Sequence, residues 1–187
     1  LYSGAIPHFV DSEIETLGIN ALKLEDYLNK ITIVKNKCTI NKNTKRIIRA
    51  IVPVHIFGHS CNMKDIIRIA KKFNLIVIED AAEALGSFYK NKHLGTFGHA
   101  GCISFNGNKI ITTGGGGAVI TNNAKIAKKI RHLSSTARIK HKWEYIHNQI
   151  GYNLRMPSLN AALGLAQIEN LNKFVKAKRL LFKKYLE

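Results

Sequence analysis

Acidic residues, cysteine and long apolar runs are all scarce in this sequence, and each shortage removes a class of protein. Only 12 Asp and Glu stand against 29 Lys and Arg, a formal charge of +17 with a pI near 10.0. Three cysteines, Cys38, Cys61 and Cys102, are an odd count with no CxxC pair. Neither a disulfide framework nor a zinc site is indicated, and a reducing, cytoplasmic setting fits. No stretch approaches the roughly 20 apolar residues needed to cross a bilayer, and the longest runs, such as Leu75 to Ile78, have strand length. A basic-then-apolar leader is missing as well; the chain starts at Leu1 and reads as an internal piece of a longer polypeptide. What is present is the composition of a folded protein, 45% hydrophobic and 22% charged, in a length of 187 residues that suits one domain with a real core.

The positive balance points at first to an anionic partner. Most lysines, however, lie singly or in pairs on stretches of helical periodicity, as in Lys71-Lys72, Lys125, Lys128-Lys129 and Lys173 to Lys184. They form no stripe interleaved with aromatics. A solvated basic surface explains them, with attraction of a small phosphorylated ligand as one alternative and nucleic-acid binding, supported by net charge alone, as another.

Strand-like and helix-like patterns alternate along the chain. Ala5 to Val10 reads as a short strand and Asn20 to Lys30 as a modest helix carrying Leu22, Leu24, Tyr27 and Leu28. Ile47 to Ile56 is a second β-like run, followed by a helix from Asn62 to Phe73 with Asn62 as N-cap and Met63, Ile66, Ile67 and Ala70 on one face. Leu75 to Ile78, Gly101 to Phe105 and Ala118 to Thr121 are further β-like runs. Asn122 to Leu133, Ser158 to Leu171 and the basic segment Asn172 to Glu187 read as helices. The alternation predicts an α/β fold with a parallel or mixed sheet covered on both faces.

Two features stand where open α/β sheets place their ligands. Glu79 and Asp80 end the buried run Leu75 to Ile78, a position that suits a catalytic acid but equally a helix cap or a partner for a nearby cation. Lys109 lies just past the run Gly101 to Phe105, beside Gly114 to Gly117, where crowding can free an amine to attack a carbonyl. The four glycines lack the Gly-Lys-Ser/Thr of a Walker loop; they read either as a flexible turn or as a place where a ligand or another backbone comes close. An acid to hold a pyridinium nitrogen and a lysine to hold an aldehyde are what pyridoxal phosphate requires. No metal site is expected. Phe57-Gly58 between His55 and His59 spoils a one-face helical pair, and His141 and His147 read as lacking partners at ligand spacing. Cys102 reads as a strand residue facing the core.

The stretches PVHIFGHSCNM, VIEDAAEALGSFYKNKHLGTFGHAGCISFNGNK, TTGGGGAVITN and GYNLRMPSLNAALGLAQIENL resemble, in order, those of the DegT/DnrJ/EryC1/StrS family of sugar-nucleotide aminotransferases. SFNGNKIITTGGGG is most similar to the members that serve legionaminic acid and related amino-sugar pathways. The resemblance implies a fold-type I large domain, residues 1–171 being its central part and 172–187 the start of a connecting helix. An N-terminal segment and a C-terminal small domain would lie outside this chain. It implies pyridoxal 5'-phosphate as cofactor, bound covalently by Lys109, with Asp80 on the ring nitrogen and Ser104 on the phosphate. Glu83 stands where the family has Gln or His near the ring oxygen. Asn153 would reach the phosphate of a neighbouring subunit's cofactor, making a homodimer with shared sites, and Arg155 is a weaker candidate for a substrate carboxylate or phosphate.

The activity so implied is transfer of an amino group, from glutamate, to a 4-keto-6-deoxy sugar carried on a nucleotide, for a surface amino sugar. A related dehydratase carries His in place of the lysine, and Lys109 argues against it. A cofactor-binding homologue without turnover, acting as a regulator, remains open. Neither a nucleic-acid nor a membrane partner is expected.

Overall fold

The computed structural model describes residues 4–187. Ala5 to Val10 forms no strand: among the described residues it meets no ladder partner, and Phe9 is 88% exposed. Regular structure begins with helix α1 (Ala21–Ile31), where the Asn20 side chain accepts from the Lys23 N–H and Ala21, Leu24 and Leu28 are buried. Strands β1 (Thr32–Lys35), β2 (Cys38–Asn41) and β3 (Ile47–Ile48) then form an antiparallel sheet in the order β1-β2-β3. The first turn is made by Asn36 and Lys37, both at positive φ. This hairpin carries too weak an alternation to stand out in the sequence.

The expected run Ile47 to Ile56 is divided between two sheets. Strand β3 pairs with β2, whereas β4 (Ala50–Ile51) begins the central sheet. Arg49 is the switch point, its carbonyl accepting from the Ile76 N–H at 2.9 Å. Helix α2 (Met63–Lys72) follows, with Asn62 as N-cap, as the sequence predicts. Met63, Ile66, Ile69, Ala70 and Phe73 are buried at helical spacing, and Lys71 and Lys72 stand in the last turn, where the helix dipole favours positive charge.

Strand β5 (Ile76–Asp80) returns parallel to β4, and a small hairpin, β6 (Phe88–Tyr89) with β7 (Lys92–His93), leads to β8 (Ala100–Ser104), parallel to β5. Strand β9 (Gly117–Ile120) closes the sheet antiparallel to β8, giving the order β4-β5-β8-β9. Helices α3 (Ala124–Ser134), α4 (Ser158–Glu169) and α5 (Leu171–Leu186) complete the chain. The mixed, mostly parallel α/β sheet is the class the sequence predicts.

Period-two alternation assigns the two faces of this sheet. Ile51, Val77, Glu79 and Ile103 are buried, the first two in the core that α1 and α2 build. Ile76, Cys102 and Val119 are exposed on the other face. Cys102 therefore does not face the core: it pairs in register with Asp80 and Val119, between the buried Gly101 and Ile103.

The glycine run has two separate causes. Gly114 and Gly116 sit at φ +78 and +97, which only glycine adopts without strain, and a side chain at Gly117 would collide with the Ile103 carbonyl of the neighbouring strand. The run is both a turn and a close backbone approach.

Candidate active site

The carboxyl ends of β4, β5 and β8 point the same way, so the loops that leave them meet. Phe57 from the first, Ala82, Glu83 and Leu85 from the second, and Ser104, Asn108, Lys109 and Ile110 from the third line one cleft of ≈ 180 Å³. Cavities of roughly 150 Å³ hold a benzene ring, so the cleft accepts one six-membered aromatic ring.

Lys109 is drawn inward, its side chain only 16% exposed, and its Nζ lies 3.0 Å from Oε1 of Glu83. The other carboxylate oxygen accepts from the Phe57 N–H at 2.8 Å. Glu83 thus joins the loop after β4 to the loop after β8. The Lys109 hydrogen bond, followed by that from the Phe57 N–H, holds its carboxyl below the usual range. Phe57 has φ +53 and is 74% exposed, an uncommon backbone state for a bulky residue, of the kind that gathers at binding sites. Ser104 ends β8; its Oγ accepts from the Asn106 N–H, and its hydroxyl proton is donated to nothing among the described residues.

Asp80 closes β5, half-buried, and Oδ1 accepts from the Ala82 N–H at 3.1 Å. It stands beside the cleft, on the face it shares with Cys102, and is not among the lining residues. Partial desolvation of its sulfur against the sheet raises the Cys102 pKa, and the Asp80 charge adds to the effect. Glu79, one residue earlier, points to the opposite face and is fully buried.

Asn153 and Arg155 do not join the cleft. Both are exposed, and Asn153 lies in an isolated bridge with Ser135. His141 has an acidic neighbour after all, the Glu144 carboxylate at 3.8 Å, but no group of three ligands forms there or elsewhere among the described residues.

Sequence reasoning misses the part of Phe57 in holding Glu83: it lies within the stretch PVHIFGHSCNM, but its backbone state leaves no mark in composition. Strand alternation alone places Glu79 and Asp80 on opposite faces.

The fold and cleft define an α/β ligand-binding domain whose site, at the carboxyl ends of its strands, presents an inward lysine. The chain belongs to the DegT/DnrJ/EryC1/StrS aminotransferase family, whose model matches residues 1–187. It is 44% identical, over 95% of its length and 44% of that protein, to the GDP-perosamine synthase of Escherichia coli O157:H7. Among solved structures it is similar to Helicobacter pylori PseC, an aminotransferase involved in the biosynthesis of pseudoaminic acid. That likeness has a TM-score of 0.77 and 32% identity, over 91% of this chain and 42% of the other. A Brucella abortus aminotransferase of the same family superimposes with a TM-score of 0.84 at 30% identity, over 97% of this chain and 46% of that one. The chain thus spans less than half the length of each of these relatives.

Proposed function

We propose that the longer protein containing this chain transfers an amino group from an amino acid, glutamate by the sequence resemblance, to a nucleotide-linked 4-keto-6-deoxy sugar, with pyridoxal 5'-phosphate as cofactor. The single observation that carries the reading is Lys109, drawn into a ring-sized cleft at the carboxyl ends of β4, β5 and β8. Residues 1–171 would form the cofactor-binding core and 172–187 the start of a connector.

The donor set suits such a cofactor. Lys109 Nζ would hold the aldehyde, the free hydroxyl proton of Ser104 would reach a phosphate oxygen, and Asp80, at the adjoining strand end, would keep the ring nitrogen protonated. When bound, the cofactor supplies an electron sink for the α-carbon of the amino acid. The protein's part is to bind, orient and move one proton. Lys109 Nζ would carry that proton, beside the apolar lining residues Ala82, Leu85 and Ile110. Asn153 and Arg155 would act only through assembly: Asn153 on the phosphate of a partner subunit, Arg155 on a substrate anion.

The test is a product assay on the full-length protein supplied with pyridoxal phosphate, glutamate and a nucleotide-linked 4-keto-6-deoxy sugar. The amino-sugar nucleotide is expected by mass spectrometry, and Lys109→Ala is expected to abolish it. Cofactor binding without product from any keto sugar nucleotide would overturn the transfer reading in favour of a regulator.

A further inference from the structure

The buried Glu79 carboxylate is spent on four donors, none of them in the cleft. Oε2 accepts from His55 Nε2 at 3.1 Å and from the Gly95 N–H at 2.7 Å; Oε1 accepts from the N–H groups of Phe97 and Gly98 at 2.7 and 2.6 Å. Both side chains of the Glu79–His55 pair are 0% exposed. Glycine is needed for this convergence: Gly95 lies at φ +86, and a Cβ on Gly98 would come 2.6 Å from the Val77 carbonyl.

His55 is tied in turn. The Cys61 N–H points at Nδ1 at 3.3 Å, so Nδ1 serves as acceptor and the ring proton sits on Nε2, toward Glu79. Burial works against a charged ring, whereas contacts with Cys61 and Glu79 push its pKa up; in either protonation form Nε2–H is donated to Glu79.

The main chain of Asp80 is held by the segment after β4 on one side and by β8 on the other. Its N–H donates to the Pro53 carbonyl at 2.9 Å, its carbonyl accepts from the His55 N–H at 3.0 Å, and the next N–H, of Ala81, donates to Cys102 at 3.0 Å. The end of β5 is therefore fixed by backbone bonds on both sides and by the Glu79 side chain from below. Asp80, on the upper face, has only the Ala82 N–H as a partner of its own.

We propose that Glu79 and His55 are positioning residues that set the place and direction of the Asp80 carboxylate, and through it the orientation of the ring bound in the cleft. Glu79 anchors β5 to the loop after β4 through His55 and to the 95–98 turn, so a displaced Glu79 lets the strand end, and Asp80 with it, shift. The proposal rests on the cleft being a pyridoxal phosphate site.

The test uses the full-length protein with pyridoxal phosphate as probe, in three variants: Glu79→Gln, His55→Leu, and His55→Gln, which keeps an N–H near the place of Nε2. Folding is followed by thermal melting without cofactor, cofactor affinity by titration, and ring orientation by visible circular dichroism per bound cofactor. Glu79→Gln and His55→Leu are expected to bind about 10- to 100-fold more weakly, the scale on which a small misplacement acts, and to lose most of the visible dichroism. His55→Gln is expected to restore both. Should Glu79→Gln fail to fold, the His55 pair carries the comparison. Folded variants that melt lower yet keep wild-type affinity and dichroism would show a purely structural pair and overturn the proposal. A wild-type protein with no visible cofactor band would instead overturn the site reading itself.

Discussion

Glu83 holds two loops with two oxygens, and its chemistry differs from that of an amide at the same place. A carboxylate pairs with the Lys109 ammonium at 3.0 Å and still accepts from Phe57, whereas Gln could serve only one of the two as acceptor. Because the folded pKa of Glu83 is lowered, the pair is fully present above the ordinary carboxyl value of 4.5 and is lost as pH falls through the depressed one. Carbon-13 NMR of the labelled Glu83 carboxyl is expected to titrate below 4.5, the unperturbed value, and to move up toward it in Lys109→Ala, where the Phe57 N–H remains. Titration at or above 4.5 in the unsubstituted protein would show that the pair does not form in solution.

Among the elements, α2 is where sequence and structure agree most closely, and it carries the clearest stability predictions. Ile66 is 0% exposed within the α1–α2 core, so Ile66→Ala is expected to cost about 2 to 5 kcal/mol by denaturant unfolding. Asn62→Ala, which removes the cap on the Asp65 N–H, is expected to cost about 1 kcal/mol. A loss from Asn62→Ala equal to that from Ile66→Ala would mean that capping, not burial, dominates here. Glu25 links α1 to α2 by accepting from Arg68 at 3.0 and 2.6 Å and from Lys72 at 2.8 Å. The Arg68 hydrogen bonds and then the Lys72 one lower its pKa from 4.5 to about 2. That stabilisation is present above 4.5 and fades as pH falls toward 2, so Glu25→Gln should flatten the decline of melting temperature across that window. An unchanged slope would place the contact among surface pairs of no measurable weight. The agreement at α2 has a physical cause: its cap and its apolar positions are local, and so are written in consecutive residues. The two antiparallel hairpins and the division of Ile47 to Ile56 were not legible, because two-residue strands depend on partners distant in sequence. Lys109, Glu83 and Ser104 were legible as motif positions, yet the joining of Glu83 to Phe57, and of Glu79 to His55, exists only once β4 and β5 lie side by side.

For the whole molecule, the +17 charge is spread over solvent-facing helices such as α5, whose Lys173, Lys176, Lys178 and Arg179 are exposed. Exposed cations attract anions weakly and are screened over about 8 Å at physiological salt, so no salt-steep binding of duplex or single-stranded nucleic acid is expected near 150 mM ionic strength. Shared sites in a homodimer, proposed from Asn153, make a separate prediction. Mixing Lys109→Ala with Asn153→Ala should return partial activity when subunits exchange, because one mixed site then carries neither defect; exchange without any return would place Asn153 outside the site. The central claim is that Lys109 holds the cofactor in the cleft between the ends of β4, β5 and β8. The most direct measurement is borohydride reduction of the full-length protein with pyridoxal phosphate, followed by peptide mass mapping. A phosphopyridoxyl label on the peptide carrying Lys109, absent in Lys109→Ala, is the predicted result; a label on another lysine that survives that substitution, or no label at all, would contradict it.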